Sequence, residues 1–265
     1  MSDSNMPVYD QIGKGYDSTR KADPYLADRI ALHLQIGRAA EYLDLACGTG
    51  NYTINLQEKH GGNWTGVDSS SRMITAAQEK SASIDWLVAD CSSLPLTSNR
   101  FRGVICTLAI HHFVSLNLVF SEVSRTLNSG RFVILTATPE QMRHYWLCEY
   151  FPQALLDSIR QMPTLDAVST ALNQAGMDVL YTEPYDIQED LQDFFLYSGK
   201  YKPAMYLDPN VRAGISTFAL LANRAEVEQG CEQLLADIEN GRIAQIQSAY
   251  AHNDGDYLFV VAGKV

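Results

Sequence analysis

"YLDLACGTGNYT" (residues 42–53) runs a β-rich apolar stretch into an acid, then a glycine-rich turn, then the start of a helix. A strand that passes through such a turn into a helix is the opening unit of a parallel α/β sheet. In such sheets ligands bind beyond the carboxyl ends of the strands, near the point where the strand order reverses. Gly48 and Gly50 permit the tight turn and let backbone approach a ligand with no Cβ in the way. Asn51 caps or opens the helix that follows. Asp44, two residues ahead of the turn, opposes a pyrophosphate at short range and attracts a cation. Thr53 occupies the third position of "GTGNYT", where a dinucleotide fingerprint asks for a small residue, and no Gly-Lys-Ser or Gly-Lys-Thr marks a phosphate loop. The turn therefore suits a nucleoside that carries positive charge.

Outward from this turn, short β-rich runs alternate with longer amphipathic ones, as in a parallel sheet with crossover helices. The pattern predicts strands at Tyr42–Ala46, Trp64–Asp68, Asp85–Ala89, Gly103–Leu108, Arg131–Ala137, Met177–Glu183 and Tyr257–Gly263. Helices are expected over Tyr52–Lys59, Ser71–Lys80, Ser115–Leu127 and Leu165–Ala175, with "HGGN" (60–63) stopping the first. Met142, Tyr145, Trp146, Glu149 and Tyr150 recur at helical spacing and predict a helix with one aromatic face. Further helices are expected at 188–197 and 210–240. The organisation that follows is an N-terminal helical arm or lid over 1–35, a core formed by 36–138, 165–185 and 256–265, and helical cap insertions at 139–164 and 186–255.

Two more acids fall at strand ends. Asp68 lies 18 residues after Gly50, close to the spacing of about 20 at which an acid accepts ribose hydroxyls. Asp90, with its following amide and Cys91, ends the third strand where an adenine edge would lie. A cationic adenosine ligand is S-adenosyl-L-methionine, whose sulfonium bears the charge.

"LDLACGTGNYT", "GVDSSSRMITAAQEK", "VADCSSLPL" and "FRGVICTLAIHHF" resemble the successive motifs of the class I S-adenosylmethionine-dependent methyltransferases, above all the small-molecule, quinone-biosynthesis-like members. The resemblance covers residues 40 to 137 strongly. It implies a Rossmann-like, seven-stranded, mostly parallel sheet with an antiparallel last strand and helices on both faces. It also implies that Gly48 and Gly50 line the methionine moiety with Asp44 nearby, that Asp68 holds the ribose and Asp90 the adenine N6, and that Met73 packs on the adenine. The Leu108 backbone would meet the methionine amine, and Ala46, Asn51, Ser69 and Cys91 complete the contact set. Ala46 stands where many members carry glycine. "YDQIGKGYDSTR" (9–20) resembles the leading arm of related enzymes, with Tyr16 and Arg20 as the residues that would close over the cofactor.

Composition narrows the partners. Twenty Lys and Arg against 31 Asp and Glu give a formal charge of -11, which repels polyanions and makes nucleic acid an unsuitable substrate. Five scattered cysteines without CxxC spacing read as reduced thiols in a cytoplasmic protein. No stretch reaches the roughly 20 apolar residues of a membrane span, and His111 and His112 lack a third ligand at metal spacing. His112, just past the fourth strand, is the candidate base or positioning group beside the methyl. Cap residues Tyr145, Trp146, Tyr150, Tyr197 and Tyr201 are candidate pocket walls. The expected reaction is in-line methyl transfer to a small-molecule acceptor, which needs alignment and exclusion of water more than a strong base. Two rivals are an acyl group on a carrier protein, docked by Arg143, Arg160, Lys200 and Lys202, and a cofactor-binding protein that transfers no methyl. The sequence fixes neither the acceptor nor the oligomeric state.

Overall fold

β1 (Glu41–Leu45), β2 (Asn63–Asp68), β3 (Asp85–Val88), β4 (Phe101–Thr107), β5 (Leu127–Thr136), β6 (Met177–Tyr185) and β7 (Tyr257–Lys264) join one sheet in the order β3-β2-β1-β4-β5-β7-β6. This is the arrangement in the computed structural model, which describes residues 16–264. β7 runs antiparallel to both of its neighbours, and every other pairing is parallel. From β1 the chain moves outward to β2 and β3, then returns to place β4 on the other side of β1. The strand order therefore reverses between β1 and β4, and the loops that follow these two strands face one crevice.

Period-two alternation sorts the side chains. Along β5, Phe132 and Ile134 enter one core while Val133 and Leu135 enter the other. Helices Leu116–Thr126 and Leu165–Gln174 cover the first face. Pro24–Leu34, Asn51–His60, Ser71–Lys80 and the cap segments cover the second. Helix Ser71–Lys80 starts where the Ser70 hydroxyl accepts from the Met73 N–H, and Pro24–Leu34 starts where Asp23 accepts from Leu26. The turn "HGGN" places Gly61 at φ 83, as a helix stop requires.

The caps depart from the periodicity. The aromatic stretch is not one helix. Thr138 and Gln141 form a reciprocal capping box for the single turn Pro139–Met142, a 3₁₀ turn follows at Trp146–Glu149, and a new helix begins at Pro152 and runs to Gln161. Proline has no N–H to donate backwards, so "YFPQ" forces a restart. Residues 188–197 form turns rather than a helix, because their backbone groups bond elsewhere: Phe194 N–H donates to the Thr19 carbonyl and Gln192 N–H to the Asp23 carboxylate. The segment expected at 210–240 is three pieces, Pro209–Ala213, a π-type turn Thr217–Leu221, and Arg224–Glu239.

Candidate active site

The β1 turn bends through the left-handed region at Ala46 (φ 53), Gly48 (φ 54) and Gly50 (φ 75). Asn51 opens the next helix rather than capping it, since Gly50 is the cap residue and gives no side-chain bond. Gly50 also has a packing reason that local sequence does not reveal. A Cβ there would lie 2.3 Å from the Trp86 ring, and the same ring closes on Gly66 at 2.3 Å. Trp86 on β3 thus props the turn from beneath, and Gly50 is not among the residues that line the cleft above it.

That cleft encloses about 440 Å³, its open mouth included, and gathers Arg20, Asp44, Ala46, Gly48 and Asn51. Thr49, Tyr52, Thr107 and Asp193 line it too; the first three fall inside the quoted motifs without being singled out there as contacts, and Asp193 lies outside them all. Asp44 is buried and accepts a 2.6 Å hydrogen bond from Thr53, whose side chain is fully enclosed. The residue that breaks a dinucleotide fingerprint is therefore the partner of the acid. Burial, reinforced by the neighbouring Asp68, pushes the Asp44 carboxyl up to about 7 against the pull of Thr53. A cation fits beside this acid and a pyrophosphate does not.

Asp68 ends β2 with each carboxylate oxygen accepting from a loop amide, Gly48 N–H at 2.9 Å and Ser70 N–H at 2.9 Å. It ties the β1 turn to the β2 turn. Asp90 is exposed at the end of β3, where it accepts from the Ser92 N–H and hydroxyl. Met73 and Cys91 are buried and Ser69 is exposed; these three, with Asp68 and Asp90, lie outside the cleft along the ends of β2 and β3. The Leu108 N–H is committed to the Leu135 carbonyl at 2.8 Å. Burial drives the Cys47 thiol well above its ordinary range and Cys91 up to about 12, so neither is a nucleophile.

The arm reaches the loop through Asp17, which accepts from the Thr49 hydroxyl at 2.5 Å, the Asn51 amide at 3.1 Å and the Lys80 ammonium at 3.0 Å. Asn51 also donates to the Arg20 carbonyl at 2.7 Å. Arg20 lies in the cleft with its Nε 2.5 Å from Asp193, which in turn accepts from the Tyr52 hydroxyl at 3.2 Å. The side chain of Tyr16, and the "GKG" joint before it, fall outside the described residues.

A second cavity of about 540 Å³ opens on the far side of Arg20, under the caps. Consecutive residues of the β4 end divide between the two, Thr107 in the first and Leu108 in the second. Met142, Met162, Phe195, Leu196 and Ile215 make the second cavity mainly apolar. None of Tyr145, Trp146, Tyr150, Tyr197 and Tyr201 lines it. Tyr145 stacks on Tyr197 at 4.0 Å, Trp146 meets Tyr150 and Tyr206 edge-on, and Tyr201 is half exposed. Each buried ring removes about 150 to 250 Å² from water, a gross gain of roughly 4 to 6 kcal/mol at about 25 cal/mol per Å². These rings are the core that holds the caps together. His111, rather than the expected His112, lines the second cavity, because consecutive residues of the 3₁₀ turn Ile110–His112 point in different directions. Burial lowers His111 to about 3, with His112 adding to the effect, and lowers His112 to about 4. Both rings are neutral at physiological pH. Among the described residues no three His, Cys, Asp or Glu are grouped to hold a metal, and no helix is long and apolar enough to cross a membrane.

Residues 43–130 match the methyltransferase domain family. An Anabaena variabilis protein described as a methyltransferase from an antibiotic biosynthesis pathway is 32% identical, with a TM-score of 0.83 over 93% of this chain and 99% of that one. The demethylmenaquinone methyltransferase of Staphylococcus aureus (strain JH9) is 27% identical over 143 residues, 50% of this chain and 59% of that protein. The chain thus aligns with less than two thirds of the length of the curated relatives it matches. Geranyl diphosphate C-methyltransferase from Streptomyces coelicolor A3(2), solved with S-adenosyl-L-homocysteine, shares the fold at 14% identity and a TM-score of 0.56, over 91% of this chain and 76% of that one.

Proposed function

The chain belongs to the class I S-adenosylmethionine-dependent methyltransferases, and we propose that it passes a methyl group from that donor, held in the β1–β4 cleft, to a small molecule held in the cavity under the caps. The observation that carries this reading is the pair of cavities meeting at Arg20 and at Thr107–Leu108. The donor supplies a methyl group on positively charged sulfur, a leaving group that needs no acid. The remaining tasks fall to this chain: Asp44 faces the positive charge, Asp68 orders the two loops beside the ribose, Asp90 stands at the β3 end, and the caps exclude water.

A small acceptor is favoured over a carrier protein by the state of the cationic cap residues. Arg143 pairs with Glu140, Arg160 with Asp157 and Lys200 with Asp256, which leaves Lys202 alone of the four without an acidic partner among the described residues, a weak draw for an acidic carrier. The test is incubation of the purified protein with methyl-labelled donor and a fractionated metabolite extract, alongside calorimetry with S-adenosylhomocysteine and NAD. Label in a low-molecular-weight product and binding of the homocysteine compound alone are expected. Equal affinity for NAD would overturn the cofactor site, and label found only in protein would overturn the small acceptor.

A further inference from the structure

Resting on that reading, we propose that the cap cavity accepts an uncharged, largely apolar molecule bearing a hydroxyl group, and that His111 hydrogen-bonds that hydroxyl beside the end of β4. Among the described residues the lining contains no Asp or Glu, so a cationic amine entering it would shed water with no counter-ion to meet it. Arg20, the one cationic residue of the lining among the described residues, is already held by Asp193 through Nε at 2.5 Å and a terminal nitrogen at 3.4 Å, so a carboxylate would have to compete with a buried acid for it. Either charge is disfavoured, and the apolar side chains of Leu108, Met142, Met162, Phe195, Leu196 and Ile215 favour a flat or branched hydrocarbon body.

The polar groups of the lining are mostly satisfied within the protein. The Ser158 and Thr217 hydroxyls bond each other at 3.0 Å, the Thr136 hydroxyl donates to the Ala137 carbonyl, and the Tyr257 oxygen accepts from the Tyr197 N–H. His111 differs. Among the described residues its ring makes no hydrogen bond, and its Nδ1 is buried without a partner. Nδ1 is shut away from the cavity, so Nε2 is the nitrogen a ligand can reach, as donor or as acceptor according to the tautomer. A ligand hydroxyl can both give and take a hydrogen bond, and so satisfies whichever tautomer is present. His111 lies three residues beyond Leu108, where the cap cavity meets the donor cleft, so a hydroxyl held there is presented to the methyl group.

Four probes of one shape test this on the protein saturated with S-adenosylhomocysteine: 2-naphthol, naphthalene, 2-naphthoate and 2-naphthylmethylamine, titrated at pH 7.5 with fluorescence or calorimetric readout. Naphthol should bind at least about tenfold more tightly than either charged analogue. His111→Leu should weaken naphthol by at least about fivefold and leave naphthalene unchanged, while His111→Gln, which keeps a donor and an acceptor, restores most of the loss. A charged analogue that binds as tightly as naphthol, a His111→Leu loss shared equally by naphthalene, or no binding of any probe would each overturn the proposal. Failure of the homocysteine compound to bind would instead remove the donor reading, and this proposal with it.

Discussion

Asp44 should make recognition of the sulfonium depend on pH. In the free protein burial holds this carboxyl up to about 7, against an ordinary value of 3.8. A cation placed beside an acid lowers its pKa by roughly 1 to 3 units. Taking about 2, S-adenosylmethionine brings Asp44 to about 5, whereas S-adenosylhomocysteine, neutral at sulfur, leaves it near 7. Preference for sulfonium over thioether then follows the ratio of the two ionisation curves. Relative to its acid limit it rises about twofold by pH 5, about tenfold by pH 6, about fiftyfold by pH 7, and towards about one hundredfold above pH 8. Paired calorimetric titrations of the two ligands from pH 5 to pH 8 measure this ratio directly. Asp44→Asn, which preserves shape and an acceptor for Thr53, should flatten it. A wild-type ratio independent of pH, or one that falls as pH rises, would refute the reasoning; so would an unchanged slope in the variant. Because the folded value of Asp44 is raised, the contribution of this group to the stability of the unliganded protein is fully present below about pH 4 and is lost as pH climbs through 7, by at most about 4 kcal/mol. The Asn variant should therefore melt later than wild type at pH 8.

Ala46→Gly should relieve a left-handed backbone that costs an alanine about 1 to 2 kcal/mol, less the extra chain entropy of glycine, for a net gain of about 0.5 to 1 kcal/mol in chemical denaturation; a loss of stability would show that this conformation imposes no strain. Gly50→Ala drives a Cβ to 2.3 Å from Trp86 and should cost more than about 2 kcal/mol, but markedly less in a Trp86→Leu background. Equal costs in both backgrounds would exonerate the ring. Asp68→Ala removes an acceptor shared by the Gly48 and Ser70 amides, and should weaken homocysteine-compound binding at least about tenfold while the sheet stays folded. An unchanged dissociation constant in a folded variant would take Asp68 out of the site.

What could be read from sequence is what short spacing determines. Asp44, Gly48 and Thr53 lie within ten residues of one another, and their relation is fixed by a strand, a turn and a helix whose geometries are standard. The same holds for the strand ends at Asp68 and Asp90, because parallel strands in register bring their carboxyl ends to one edge. Relations made across the chain left no such trace. Arg20 meets Asp193 at a separation of 173 residues, and nothing near either one announces the other. Gly50 reads as an allowance for ligand until the Trp86 ring is found beneath it. The aromatic spacing in the first cap was real but ambiguous: rings at i, i+3 and i+4 pack just as well on one another as around a substrate, and Pro152 had already broken the helix that the spacing implied. Periodicity tells which residues share a face and not what that face meets. His111 and His112 pose the same problem at the scale of one turn, since a 3₁₀ geometry decides which of two neighbours faces the cavity.

The charges in the site also bear on how turnover ends. Two loop amides hydrogen-bond to Asp68 and Asp193 pairs with Arg20, whereas Asp44 is a buried acid with no cationic partner among the described residues. A sulfonium held beside Asp44 would be stabilised by the carboxylate in a place shielded from water. Once its methyl group had passed to the acceptor, the buried carboxylate would stand beside a neutral thioether. Its pKa then returns towards about 7, so the interaction that favoured the donor is absent from the product. The same buried acid that would select the sulfonium would therefore loosen the thioether, with a discrimination that grows over the pH range in which Asp44 otherwise holds its proton.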